Sequence, residues 1–135
     1  MSVVAGAVAV DRARALVGTR FRLQGRSREQ GIDCLGLVLA AHGLPAGSGR
    51  RDYALRGVTR GEIEAGLVPW FRRIARTRVV PGDVLVLWAG PGVLHLGVSS
   101  GDGMIHADVR HGVVERPGAT PWPVVAVFRR RTRGI

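Results

Sequence analysis

The sequence predicts an α+β domain in which N-terminal helices pack on one face of an antiparallel β-sheet. Two observations predict this class. Apolar residues recur at helical spacing in the first half, whereas short runs rich in β-branched residues follow one another after Arg78, separated by turns that contain glycine and proline. Helices first and strands afterwards are typical of α+β proteins, in which the helices cover a single sheet.

The first two helices are predicted from their spacing and their caps. A helix over residues 3–17 keeps its arginines on the polar side and is ended by Gly18. The polar segment 19–30 has no period and is predicted to be a surface loop. It leads to Asp33, a favourable N-cap for a second helix that begins at Cys34.

A third, shorter helix is predicted after a long connection. Residues 43–57 are dominated by Gly, Pro, Ser and Arg and show no period, so we expect a loop that borders a cleft. Thr59 and Glu62 then have the spacing of a capping box, which predicts a helix that reaches about Gly66.

The second half of the chain is predicted to be an antiparallel meander. Turn sequences such as Pro81-Gly82 and Gly101-Asp102-Gly103 separate the strands and suit hairpins. The predicted strands are 83–88, 93–99, 103–106, 113–116 and 124–128. Since the chain has 135 residues and shows neither a repeat nor a linker, we predict one domain over 1–135.

Charge and hydropathy narrow the classes of function. The net charge is +10 and every basic residue is an arginine, which suits an anionic partner without choosing among nucleic acid, glycan, membrane and protein. No nucleic-acid-binding motif occurs and aromatic residues are few, so nucleic-acid binding is the least favoured class. No apolar run approaches the roughly 20 residues of a membrane span, and no basic leader precedes the first apolar segment. We expect synthesis in the cytoplasm without a signal peptide.

The single cysteine, Cys34, is the first candidate for chemistry. One cysteine excludes an internal disulfide, and no Cys/His cluster has zinc spacing, so no metal is predicted. At the first turn of a helix, backbone N–H groups and the helix dipole favour a thiolate, which is the nucleophilic form. The alternative is a small buried apolar side chain among the leucines of this helix.

Two histidines in the predicted sheet are the candidate partners of Cys34. His95 interrupts an apolar strand, where a polar ring needs a partner, and His106 follows on the next strand. Triad logic then makes Cys34 the nucleophile, His95 its base and His106 the residue that orients His95. As an alternative, His106 bonds only to backbone in a hairpin. His42 and His111, at a helix end and in a turn, are expected to be exposed.

Five ordered motifs resemble the NlpC-type cell-wall cysteine peptidases, which are papain-like hydrolases with a helix-borne cysteine facing a sheet-borne histidine. The resemblance covers most of the chain. The matching motifs are Leu16-Val17-Gly18-Thr19, Asp33-Cys34-Leu35-Gly36-Leu37-Val38, Pro81-Gly82-Asp83-Val84, His95-Leu96-Gly97-Val98 and Ile105-His106-Ala107.

The resemblance implies a cysteine peptidase that cuts peptidoglycan stem peptides without a metal or organic cofactor. The three site residues take the catalytic roles named above, and Asp33 and Phe21 are the expected oxyanion- or substrate-binding residues. Phe21 stands where the family often has tyrosine, so it cannot donate a hydrogen bond. Leu35 in place of the usual serine, together with the short interval from Cys34 to His95, is similar to the branch found in phages and gene transfer agents. That branch implies a partner in a phage-like tail or baseplate and action in the periplasm.

Two alternatives stay open beside this interpretation. Related thiol folds act as amidases or acyltransferases, which form the same acyl-enzyme and use another acceptor. The chain could instead be an assembly component of a phage-like tail with a degenerate or weak hydrolase site. Its basic segment Arg129-Arg130-Arg131-Thr132-Arg133 suits docking on an acidic partner or is a solvated tail.

Overall fold

The computed structural model describes residues 1–47 and 59–132 and confirms the α+β class, with three α-helices and a six-stranded antiparallel sheet. The loop predicted at 43–57 lies largely outside the described residues. In chain order the elements are α1 (Val3–Ala15), β1 (Arg26–Ser27), β2 (Gly31–Ile32), α2 (Cys34–Ala41), α3 (Arg60–Leu67), β3 (Phe71–Ile74), a 3₁₀ turn (Arg76–Arg78), β4 (Val84–Gly90), β5 (Val93–Ser99), β6 (Gly103–Asp108), β7 (Gly112–Pro117) and β8 (Val124–Arg130).

The second and third helices begin at their predicted caps, and the first begins at residue 3, as its spacing predicted. The Ser2 hydroxyl accepts a hydrogen bond from the Ala5 N–H at 3.0 Å and starts α1, and the Thr59 hydroxyl accepts from the Glu62 N–H at 3.1 Å and starts α3. The helix α2 begins at Cys34, as predicted, and α1 ends two residues earlier than predicted. Among the described residues, no helix is long and apolar enough to cross a membrane.

The sheet departs from a simple meander at its centre. Strands β4 to β7 follow one another as predicted, but β8 returns to lie between β3 and β4, giving the order β3-β8-β4-β5-β6-β7. The strand β3 was not predicted because Arg72 and Arg73 interrupt its short apolar pattern. The segment 19–30, predicted to be a loop, contributes β1, which pairs with β2. A two-residue strand is too short to show alternation.

Apolar side chains pack on both faces of the six-stranded sheet. The larger cluster joins α1 and α2 to the sheet and includes Leu37, Val98 and Ile105. A smaller cluster, which includes Leu87 and Met104, lies on the other face. Since successive strand residues point to opposite faces, Leu96 belongs to the helix side, and His95 points to the face of the smaller cluster.

A buried ion pair fixes β8 against the start of β4. The Asp83 carboxylate is fully buried and accepts hydrogen bonds from Nε and Nη2 of Arg129, each at 2.9 Å. It also accepts from the Val80 N–H at 2.9 Å, which shapes the turn before β4. Bidentate pairing of this kind fixes geometry as well as charge, so it locks the central strand pair in register.

Candidate active site

The position of Cys34 is set by its neighbour Asp33, which caps α2. The Asp33 carboxylate accepts hydrogen bonds from the Gly36 N–H at 2.9 Å and from the Gln24 N–H at 2.7 Å. It also pairs with the Arg26 guanidinium at 3.0 Å, and the two side chains are only 3% and 2% exposed. The first turn of α2 packs so closely on the preceding loop that a side chain at Gly36 would clash with the Gly25 carbonyl oxygen.

The ladder between β5 and β6 ends beside this helix start. Within the described residues, the two strands pair at Val98 with Ile105 and at Ser99 with Met104, and no further rung joins them. Leu96 lies past the last rung, and its backbone interacts with the sulfur of Cys34, a residue that is half-buried as a whole. The cysteine therefore contacts the sheet at a residue that pairs with Val86 of β4 and lies beyond the rungs to β6.

The two predicted histidines come together beside the end of this ladder. Nε2 of His95 lies 2.9 Å from Nδ1 of His106, and the rings are nearly perpendicular, with their centroids 5.0 Å apart. His106 is fully buried and His95 is half-buried. Trp122 covers both rings edge-to-face, at 5.4 Å from His95 and 5.5 Å from His106. The prediction that His106 lies against the His95 ring is confirmed by this contact.

Both histidines and the cysteine rest in their neutral forms. Burial raises the pKa of the Cys34 thiol to about 12, the nearby Asp33 carboxylate adds to the rise, and backbone groups including that of Leu96 oppose it. Burial also lowers the pKa of His95 to about 4 and that of His106 to about 4. The expectation that the helix start would favour a thiolate is therefore wrong for this resting state, because burial and a like charge outweigh the dipole.

One predicted contact is not formed. Among the hydrogen bonds of residues 1–47 and 59–132, none joins the Cys34 sulfur to the His95 ring. The sulfur instead lies beside the backbone of Leu96, the next residue along β5. The catalytic roles of these side chains stay predictions, and the geometry places the nucleophile one residue from its expected base.

The two expected substrate-binding residues differ in what they contact. A carboxylate only accepts hydrogen bonds, and that of Asp33 is buried in its cap and ion pair, where it positions the start of α2. An oxyanion- or substrate-binding role for Asp33 stays a prediction. Phe21 is half-buried and forms an isolated bridge with Ile32, two residues before Cys34. A substrate-binding role for Phe21 stays a prediction.

The other two histidines lie away from the pair. His111 is exposed, as expected, and pairs with Asp108 at 2.8 Å. His42 is not exposed as expected, because its Nε2 lies 2.8 Å from the Gly82 carbonyl oxygen and its ring packs edge-on against Phe71. In the described residues, no group of three or more His, Cys, Asp or Glu side chains is placed to hold a metal ion.

Comparison with known proteins rests on structure, since the sequence matches no family model and no curated protein sequence. The NlpC/p60 domain of the peptidoglycan hydrolase SagA is 26% identical, covers 83% of this chain and 88% of that chain, and superposes with a TM-score of 0.55. The P60 domain of an antigen from M. avium subspecies paratuberculosis is 20% identical, covers 93% of both chains and has a TM-score of 0.58. The chain has the NlpC/p60 fold.

A third NlpC/p60 structure shows the same likeness within a larger protein. An NlpC/p60 family protein from Bacillus cereus is 20% identical and has a TM-score of 0.60. The match covers 92% of this chain and only 39% of that protein, so this chain spans well under half of it.

Two side chains around the histidine pair of this NlpC/p60 fold were not found from the sequence. Arg116 donates through Nε to Nε2 of His106 at 2.7 Å, and Trp122 packs on both rings. Arg116 alternates with exposed neighbours on β7, a pattern that indicates a strand and not a partner. Trp122 follows a turn after β7, and no local sequence pattern predicts its contact with the two histidines.

Proposed function

We propose that this chain is a cysteine peptidase that hydrolyses peptide bonds in the stem peptides of bacterial peptidoglycan. The observation that carries the proposal is the contact of Cys34, at the start of α2, with β5 beyond its last rung to β6, one residue from His95 and its contact with His106. The likeness to the NlpC/p60 domain of a peptidoglycan hydrolase supports the substrate class.

The neutral resting state defines the order of steps. With the thiol pKa raised to about 12, the Cys34 proton must leave as the sulfur attacks the carbonyl carbon, and we assign His95, the residue before Leu96 on β5, as the base that takes it. The C–N bond then breaks, the amine departs with the proton from His95, and a thioester remains. Water hydrolyses the thioester with His95 as base, and the free thiol re-forms.

The backbone at the start of α2 supplies the electrostatic part of this mechanism. The N–H groups of Cys34 and Leu35 interact with the sulfur and oppose the rise of its pKa. The same kind of unpaired helix N–H can donate to an oxyanion that forms next to the sulfur. His106, buried behind His95, holds the ring of the base in place.

Incubation of purified protein with peptidoglycan, followed by mass spectrometry of the soluble fragments, tests the proposal. We expect new peptide ends in the wild type and none in Cys34→Ser, with an unchanged fold in both by circular dichroism. Cleavage by Cys34→Ser would contradict a thiol mechanism. Transfer of the acyl group to an added amine without hydrolysis would indicate an acyltransferase.

A weak or degenerate hydrolase within a phage-like tail is the second candidate. Two observations favour it: the raised thiol pKa and the absence of a described hydrogen bond between Cys34 and His95. The tail setting and action in the periplasm are proposed from the sequence resemblance alone. Detection of the protein by mass spectrometry in purified phage-like particles tests the setting, and its absence there would contradict it.

A further inference from the structure

Arg116 makes a contact with the histidine pair that the proposed mechanism does not use. Its side chain is half-buried on β7, and its Nε lies 2.7 Å from Nε2 of His106. A guanidinium only donates hydrogen bonds, so Nε2 of His106 must be an unprotonated acceptor. The contact therefore reports which nitrogen of a buried imidazole carries the proton.

The Arg116 contact also fixes the tautomer of His95 through His106. A neutral His106 whose Nε2 is bare carries its proton on Nδ1, and that atom lies 2.9 Å from Nε2 of His95. Nε2 of His95 then accepts, so a neutral His95 holds its own proton on Nδ1. Nδ1 of His95 then carries a proton and its Nε2 accepts from His106, so neither ring nitrogen of His95 is a free acceptor.

We propose that Arg116 is a positioning residue that holds both histidines in the Nδ1–H form, so that His95 cannot accept the thiol proton until both rings exchange it for the Nε2–H form. This inference deepens the proposed function and rests on His95 being the base. In the exchanged form Nδ1 of His95 is bare, its Nε2–H donates to Nδ1 of His106, and the number of protons on the pair is unchanged. His106 then presents an N–H toward the N–H of Arg116, which Arg116 opposes.

Two charged side chains, Arg116 and Asp108, act on the pKa of His106, and the Asp108 carboxylate is already hydrogen-bonded to other groups. Besides burial, the Arg116 cation lowers the pKa of His106, whereas Asp108 on β6 acts to raise it. The Asp108 carboxylate accepts hydrogen bonds from the backbone N–H groups of Arg110 and His111 and pairs with the His111 ring, which occupies it.

Other elements around the pair add little charge. On β4, the residue opposite His95 is the apolar Leu87, and Trp122 covers the rings from the far side. A further charged group is Asp33 at the start of α2, which acts on the thiol and is itself paired with Arg26. Among the described residues, Arg116 is the cation in contact with the histidine pair.

Nitrogen-15 NMR of the histidine rings in the wild-type protein at about pH 7.5 tests the proposal without any substrate. His42→Gln and His111→Gln variants assign the signals by elimination. We expect His95 and His106 each to show a protonated Nδ1 and a bare Nε2. A protonated Nε2 on His106 would overturn the proposal, because Arg116 could not then donate to it.

Variants at Arg116 give the second test. In Arg116→Met we expect the Nε2–H forms to appear and the midpoint of the pH profile for alkylation of Cys34 by iodoacetamide to fall by about one unit. Arg116→Lys keeps a cationic donor and should retain the wild-type tautomers and alkylation midpoint. The control Arg14→Met should retain them too, because the Arg14 guanidinium pairs with Glu115, the residue before Arg116. Unchanged tautomers and an unchanged midpoint in Arg116→Met would overturn the proposal.

The two proposals fail in different ways. A wild-type protein with both rings in the Nδ1–H form that releases no peptide from peptidoglycan contradicts the proposed function and leaves the tautomer lock supported. An active peptidase whose rings are in the Nε2–H form at rest contradicts the lock alone.

Discussion

Replacing Asp33 with alanine removes the carboxylate whose contacts position the nucleophile. The carboxylate caps α2 through the Gly36 N–H at 2.9 Å and pairs with Arg26 at 3.0 Å in a nearly fully buried site. Loss of an N-cap costs about 0.5–2 kcal/mol, and removal of one partner from a buried ion pair costs about 3–5 kcal/mol because a charge stays buried. Since one carboxylate serves both contacts, the costs overlap, and we expect a total loss of about 3–5 kcal/mol.

Urea unfolding followed by tryptophan fluorescence measures this loss directly. Asp33→Asn keeps an oxygen for the Gly36 N–H and removes the charge, so it should fall between the wild type and Asp33→Ala. Thr59→Ala, which removes the exposed cap of α3, is the matched control and should cost about 1 kcal/mol. If Asp33→Ala destabilises no more than Thr59→Ala, the buried ion pair does not hold the start of α2 as argued.

Three further predictions concern protonation. Alkylation of Cys34 by iodoacetamide should keep rising into the alkaline range, since burial raises the thiol pKa to about 12; a plateau below pH 8 would contradict this. The free energy of unfolding should fall as the pH drops from about 6.5 to about 4, because burial lowers the pKa of His42, His95 and His106 from 6.5 to about 4 and the unfolded chain binds protons first. Urea unfolding at several pH values checks this, His42→Gln should reduce the dependence, and a flat profile would refute it. Trp122→Leu should hydrate the two rings it covers and raise their pKa toward 6.5 in an NMR titration, and unchanged values would show that Trp122 does not shield them.

The parts of the fold that sequence could predict are those with local signals. The caps at Asp33 and Thr59 sit within three residues of the groups they bond, so the starts of two helices followed from spacing alone. His95 and His106 interrupt apolar strands, and a buried ring needs a polar partner, which predicted that they would meet.

The parts that sequence could not predict depend on contacts between distant segments. The place of β8 between β3 and β4 is fixed by strand pairing and by the ion pair of Asp83 with Arg129, neither of which has a local pattern. The thiol pKa of Cys34 is another case, since the helix dipole is visible in the sequence and the degree of burial is not. Arg116 likewise alternates like any edge-strand residue and gives no sign of its imidazole partner.

The central place of β8 has a consequence for how the chain folds. Strands β4 to β7 can form hairpin by hairpin from neighbouring residues, but β4 finds its second partner only when residues 124–130 arrive. Until then its edge, with buried residues such as Leu85 and Leu87, is open to pairing with other chains. Long-range pairing of this kind slows folding, so during synthesis the nascent domain depends on its final strand to close an aggregation-prone edge.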